Sequence, residues 1–222
     1  MLYENYEQVV ANVKKACERS GRNFQDITII AVSKTKPLSD VEELLSHGVM
    51  EFGENKVQEM VDKYEHVSKP VHWHLIGHLQ TNKVKYIVDK ACLIHSVDSV
   101  HLAKEIEKEA AKKGVVAKVL LEVNIAQEET KFGIREDEVY ALIDAIKDMP
   151  HVHVMGLMTI APFVENPEEN RVYFRKMHQL SLDIKSKCID NIDMSVLSMG
   201  NRRRGGRDYD SCRNRHFRCA KL

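Results

Sequence analysis

Short apolar runs recur along the chain at 27–34, 50–53, 72–79, 91–97, 117–125, 152–161 and 195–199, with polar, helix-periodic stretches between them. Short runs rich in β-branched residues read as strands, and stretches with apolar residues three or four apart read as amphipathic helices. One such helix precedes the first strand, near 3–19. Three others show the period plainly, at 38–45 (where Asp40 reads as the cap), 100–108 and 136–143. Strand and helix in alternation build a parallel sheet with crossover helices. Seven strands with a helix per crossover predict an α/β fold, a (β/α)8 TIM-like barrel one strand short. An open doubly wound sheet is the alternative, but no glycine-rich dinucleotide fingerprint follows the first strand.

Composition narrows the class. A chain of 222 residues makes one domain with a large core, and 43% hydrophobic with 30% charged residues excludes a disordered polymer. No apolar run reaches the length of a membrane span, and the N-terminal residues lack a secretory pattern. Cys17, Cys92, Cys188, Cys212 and Cys219 are odd in number and without CxxC spacing, so thiols in a reducing cytoplasm are expected.

The candidate chemistry gathers at the C-terminal ends of the predicted strands, where barrels keep their ligand sites. Lys34, Glu54 with Asn55, His78, His95 with Ser96, Asn124, Thr159 and Ser198 all fall there. Lys34 closes the apolar run 27–32. An amine desolvated at such a mouth loses its proton readily and becomes a nucleophile, typically forming a Schiff base with a carbonyl, most often that of pyridoxal phosphate. The plainer reading is a lysine with a packed stem and a wet head. His72, His74 and His78 share one strand face, but same-face steps of roughly 6.6–6.8 Å spread them too far for a tetrahedral zinc site. No metal is expected.

Several segments in order then carry a resemblance: Ala31-Val32-Ser33-Lys34, Phe52-Gly53-Glu54-Asn55-Lys56-Val57-Gln58-Glu59, Trp73-His74-Leu75-Ile76-Gly77-His78-Leu79-Gln80-Thr81-Asn82-Lys83, His95-Ser96-Val97-Asp98-Ser99, Val123-Asn124, Lys131-Phe132-Gly133, Met155-Gly156-Leu157-Met158-Thr159-Ile160 and Leu197-Ser198-Met199-Gly200. Together, over roughly residues 1–200, they resemble the pyridoxal phosphate homeostasis proteins, a family similar to the N-terminal barrel domain of alanine racemase. The resemblance implies that Lys34 carries pyridoxal 5'-phosphate (PLP) as a Schiff base and that Asn55 lies beside the cofactor ring. It further implies that Ser198 bonds the phosphate with the backbone of Met199 and Gly200 close by, and that His78 and Met158 line the mouth. Each has a plainer reading: Asn55 a helix cap, His78 a core histidine, Met158 core packing, Ser198 a turn hydroxyl.

The implied role is intracellular PLP homeostasis: a cytoplasmic, monomeric, non-enzymatic protein that holds the cofactor and delivers it to apo PLP enzymes, with no membrane or nucleic-acid partner. Racemisation needs a second acid/base group on the opposite cofactor face. In alanine racemase that group comes from a β-rich second domain, for which this chain has no room. A PLP-dependent racemase-like enzyme is the alternative, and a non-catalytic interaction module with an incidental lysine is a third.

After Gly200 the resemblance breaks. The family continues with an eighth strand of the type IRVGTAIFG, whose arginine faces the pyridine nitrogen and whose following residues cradle the phosphate. Here residues 201–222 hold seven arginines and Lys221 against Asp208 and Asp210, a net charge of +6 on a chain that is neutral overall. Read in a shifted frame with free wobble bases, the same stretch can encode the family ending. A frameshift accounts together for the arginines, the late cysteines and the lost strand. An eighth strand missing or disrupted is expected, with residues 1–200 forming the barrel and 201–222 an irregular or short-helical, exposed tail.

Overall fold

The computed structural model describes residues 2–128, 132–162, 164–201 and 216–221. Eight parallel strands close into a barrel in sequence order: β1 Ile27–Val32, β2 Glu51–Glu54, β3 His72–Leu75, β4 Ala91–Val97, β5 Ala117–Glu122, β6 Val152–Ala161, β7 Ile192–Asn201 and β8 His216–Lys221. The helices are α1 Leu2–Ser20, α2 Leu38–Ser46, α3 Val57–His66, α4 Val84–Ile87, α5 Val100–Lys113, α6 Val139–Ile146 and α7 Arg171–Ser186. Sequence expectation and structure coincide at β4 and β6. The run 72–79 is strand only to Leu75.

Helix α5 shows how local sequence sets these elements. Ser99 caps it by accepting from the Leu102 amide (3.2 Å), and Leu102, Ala103, Ile106 and Ala110 bury one face. Lys112 and Lys113 occupy the last turn, and Gly114 ends it at φ 64°, a left-handed value that glycine adopts at little cost. Asp40 does not cap α2 as the sequence suggests. The helix starts at Leu38 behind Pro37, so Asp40 lies in the first turn, where its charge meets the positive helix end.

Strand alternation divides the core. Ala31, Phe52, Trp73, Leu75, Ile94, Val119, Leu121, Leu157 and Leu197 join the large cluster between sheet and helices. Residues of the opposite parity on four strands, Leu93, Leu120, Met158 and Val196, form a smaller cluster inside the barrel. Helix α1 packs on β1 through Val13 and Cys17 against Ile29.

A missing eighth strand is corrected by the sheet pairing. β8 runs parallel to β1 over six registered pairs, from Ile27↔His216 to Val32↔Lys221. The expectation rested on the lack of a contiguous apolar run, but a ladder is made of backbone groups. The open edge of β1 offers unpaired N–H and C=O groups to any segment without proline. On its other side β8 meets β7 at only two pairs, Leu197↔His216 and Ser198↔Phe217. The disruption expected of this strand is confined to that seam. The expectation of an irregular tail otherwise falls on 202–215, outside the described residues.

Leu120 is fully buried inside the barrel. Leu120→Ala should lower unfolding stability by roughly 2–5 kcal/mol in a urea titration. Lys118→Ala, at an exposed position of the same strand, should stay within about 0.5 kcal/mol of the parent.

Candidate functional site

Lys34 follows β1 in a turn held from three sides. The Ser33 amide donates to Gly53 O (3.0 Å), and the Lys36 amide returns to Ser33 O (3.0 Å). Thr35 between them has φ 63°, an expensive left-handed conformation for a β-branched residue. Its amide donates to Glu59 Oε1 at 2.5 Å. Beneath the turn, the Lys63 ammonium spends its three donors on Ser33 O (2.7 Å), Glu54 Oε1 (2.7 Å) and Glu59 Oε1 (3.0 Å). The Ser33 hydroxyl donates to the same Glu54 oxygen at 2.6 Å. Burial pushes the Glu54 carboxyl upward, and the bonds from Lys63 and Ser33 pull it back without cancelling that push. Its Oε2 is buried with no hydrogen-bond partner among the described residues. The half-buried Lys34 is thus carried on a rigid, charged platform.

The other expected residues stand on the same rim, in different settings. Asn55 follows β2 and is no helix cap, since Lys56 occupies the N-cap of α3. The Asn55 backbone lies where a Cβ on Gly77 would fall, so glycine there lets the loop after β3 close over it. His78 is exposed rather than a core histidine. Its ring stacks on Phe132 (centroids 4.0 Å apart), with Asp98 Oδ2 3.7 Å from Nδ1. Met158 packs in the interior cluster, as its plainer reading has it. It is in register with Glu122 on one side and Ser198 on the other. The side chains of Lys131, 163 and 216–221 are outside the described residues.

Ser198 is buried, and its Oγ lies 2.9 Å from His95 Nδ1. It also marks the last β7–β8 pair. Past it, Met199 and Gly200 continue β7 along β6, with no β8 partner among the described residues and none of those residues within 4 Å of a Cβ on Gly200. Backbone N–H groups at a strand end can cradle an anion. A primary amine, a hydroxyl and this cradle suit a phosphorylated aldehyde, so the described residues fit PLP.

Behind Ser198 a polar line crosses the barrel interior. His95 Nε2 is 3.0 Å from His74 Nδ1, and His74 Nε2 is 2.7 Å from Glu51 Oε2. Glu51 Oε1 lies 2.6 Å from His72 Nδ1, and Cys92 Sγ is 3.4 Å from His74 Nε2. The donor atoms of Glu51, His74 and Cys92 lie within 4.8 Å of one another. The 2.7 Å contact has the length of an ordinary N–H···O hydrogen bond, so His74 and Glu51 are hydrogen-bonded partners. Burial raises the Cys92 thiol to about 12, with Glu51 adding to the push, so the thiol keeps its proton at neutral pH.

Two features escaped the sequence reading. Lys63, four residues after Glu59 on an amphipathic helix, looks like half of a surface ion pair, yet it is buried. Glu122 closes β5 with 7% exposure, and burial, with Asp98 adding repulsion, pushes its carboxyl up to about 7. Its parity with Leu120 was the available signal.

The parallel barrel, with Lys34 on the turn after β1 and Ser198 near the end of β7, has counterparts among known proteins. The profile of the alanine racemase N-terminal domain matches residues 5–201. The chain belongs to that family, and within it to the pyridoxal phosphate homeostasis proteins. The Aquifex aeolicus protein of that name is 43% identical over 198 residues, covering 89% of this chain and 86% of the relative. PipY of Synechococcus elongatus, solved with PLP bound, superposes with a TM-score of 0.76 at 27% identity, over 90% of this chain and 88% of that one. An alanine racemase from Clostridium difficile, 16% identical with a TM-score of 0.69 over 90% of this chain and 54% of its own, shares the fold. No described helix is long and apolar enough to cross a membrane.

Glu122 gives a pH test. Its carboxyl ionises near 4.5 when unfolded and near 7 when folded. Between those values the unfolded chain has already lost a proton that the native state keeps, so this group costs stability as pH rises through the window. Glu122→Gln should therefore gain stability over the parent from pH 4.5 to 7, with a constant gain above it and none below, by urea unfolding at stepped pH.

Proposed function

We propose that this protein binds PLP at the C-terminal mouth of the barrel and holds it for delivery to apo enzymes in the cytoplasm. The observation that carries this is the placement of Lys34 on the Ser33–Glu54–Lys63 platform, on the same rim as the Ser198–Gly200 cradle. Homeostasis names among the relatives and the PLP-bound PipY structure support the same reading. When bound, PLP supplies an aldehyde that condenses reversibly with a primary amine. Lys34 provides the amine, Ser198 and the Met199–Gly200 backbone receive the phosphate, and Asn55 and His78 flank the opening. Borohydride treatment of the PLP-loaded protein should fix the cofactor on the Lys34 peptide, and Lys34→Ala should abolish the adduct. Attachment at Lys36 or Lys56 instead would refute the assignment.

A racemase-like enzyme is the second reading, and Glu122 is what favours it: a carboxyl poised near neutrality is a competent acid/base. Holding without turnover predicts no exchange of amino-acid α-protons beyond free PLP. Glu122-dependent exchange in deuterated water, lost in Glu122→Gln, would establish the enzyme instead.

The tail bears on affinity. The family match ends at residue 201, where the arginine-rich stretch begins, which supports the reading of a shifted frame after Gly200. Replacing 201–222 with the alternative-frame ending should raise both the melting temperature and PLP affinity. No gain in either would remove the frameshift from the account.

A further inference from the structure

Four side chains from four strands form one continuous hydrogen-bonded line, Glu51 (β2), His74 (β3), His95 (β4) and Ser198 (β7), with contacts of 2.7, 3.0 and 2.9 Å. The line joins the half-exposed closed end of the barrel to the buried hydroxyl at the mouth. Each imidazole contributes both ring nitrogens, so the direction of one bond dictates the direction of the next.

Two directions are open to it. Burial pushes Glu51 upward, but the bonds from His74 and His72 outweigh this and hold it ionised. Burial keeps His74 neutral against the opposing pull of Glu51, and full burial, with His74 nearby, keeps His95 neutral. An ionised Glu51 can only accept, so His74 must donate from Nε2. His74 Nδ1 then accepts from His95 Nε2, and His95 Nδ1 accepts from the Ser198 hydroxyl. In this direction the serine hydrogen points inward, and only lone pairs face an arriving anion. Donation to the anion requires every bond to reverse: His95 Nδ1–H to Ser198 Oγ, and His74 Nδ1–H to His95 Nε2. His74 Nε2 would then confront the Glu51 carboxylate lone pair to lone pair at 2.7 Å. A proton taken from solvent onto His74 removes that conflict and leaves an imidazolium–carboxylate pair.

We propose that this line is a proton wire that positions the Ser198 hydroxyl and couples phosphate binding at the mouth to uptake of one proton at the far end of the barrel. The inference rests on the PLP reading above, with Ser198 as a phosphate contact. The charge balance is simple: one proton is taken up at the His74–Glu51 pair, the Ser198–His95 and His95–His74 hydrogen bonds reverse while His74 Nε2 goes on donating to Glu51, and nothing is oxidised. Glu51 and His72 provide the route to solvent, with side chains 28% and 60% exposed. Among the described residues, the titratable groups in contact with the pair are His72 on β3 and His95 and Cys92 on β4, and Lys118 on β5 acts on Cys92 through space. Cys92 keeps its proton at neutral pH, and His72 is in direct hydrogen-bond contact with Glu51.

Glu51→Gln breaks the coupling while preserving shape, because an amide can donate to His74 Nε2 as readily as accept from it. Calorimetric PLP titrations at pH 8 in buffers of different ionisation enthalpy count the protons exchanged. The parent should take up about one proton more per PLP than Glu51→Gln, and its affinity should fall about tenfold per pH unit above neutrality while the variant's stays flatter by that slope. Protons exchanged by PLP and Lys34 themselves are common to both proteins and cancel. On the parent alone, long-range nitrogen correlation spectra should show His95 Nδ1 changing from acceptor to protonated donor when PLP binds, so the test survives a variant that fails to fold. PLP trapped on Lys34 with equal proton counts, or with His95 nitrogens unchanged, overturns the wire and leaves the binding reading intact. No PLP held at Lys34 overturns both.

Discussion

Closure of the barrel is the constraint on which the rest of the molecule depends. A parallel sheet satisfies its backbone only if every strand has a neighbour on both sides. In this chain the last neighbour is a segment with arginine, histidine and lysine among its six residues. β1 takes it along its whole length, while β7 takes two residues and then parts from it. That parting lies at Ser198, and β1 ends two residues before Lys34. The candidate site of the barrel mouth is therefore built around the closing seam.

The interior behind the rim is mixed in a way that a barrel core need not be. Leu93, Leu120, Met158 and Val196 fill one part with apolar side chains, and the Glu51–His74–His95–Ser198 line fills another. Burying four polar groups is costly unless each finds a partner. Here each is the partner of the next, so the line is satisfied as a unit and is sensitive at either end. The Lys63 platform obeys the same rule under Lys34, with an ammonium that meets three acceptors and a carboxylate left with one unspent oxygen. Satisfied buried charge fixes the geometry of the turn that carries Lys34.

Much of this was legible in the sequence, for reasons that also explain what was not. Strand–helix alternation, the bounds of β4 and β6, and the gathering of polar residues at strand ends all follow from local pattern, because burial imposes a period on neighbouring residues. The run 72–79 read as one strand because apolar content does not reveal that Gly77 must pass the Asn55 backbone. Lys63 carries no local sign of burial, because two of its three acceptors, Ser33 O after β1 and Glu54 on β2, are brought to it only by the fold. The His74–His95 contact joins residues on different strands, so single-strand spacing could only pose and dismiss the three-histidine zinc site. β8 was illegible for a deeper reason: its pairing is carried by backbone groups, which every residue possesses and no composition displays.

Holding and turning over a cofactor ask different things of such a rim. A holder needs a reachable amine, an anion seat and a reversible bond, and it gains from any device that loosens the seat under defined conditions. An enzyme needs in addition a group aligned with the reacting carbon from the second face. Glu122 is the one buried carboxyl among the described residues pushed up to about 7, and it ends β5 in register with Met158, whose other neighbour is Ser198. That register places it on the Ser198 side of the mouth, across the barrel from the turn that carries Lys34. A neutral carboxyl on that side accommodates an incoming phosphate where an ionised one would repel it. The raised ionisation of Glu122 is thus as well suited to admitting an anion as to moving a proton, which fits a holder without requiring a catalyst.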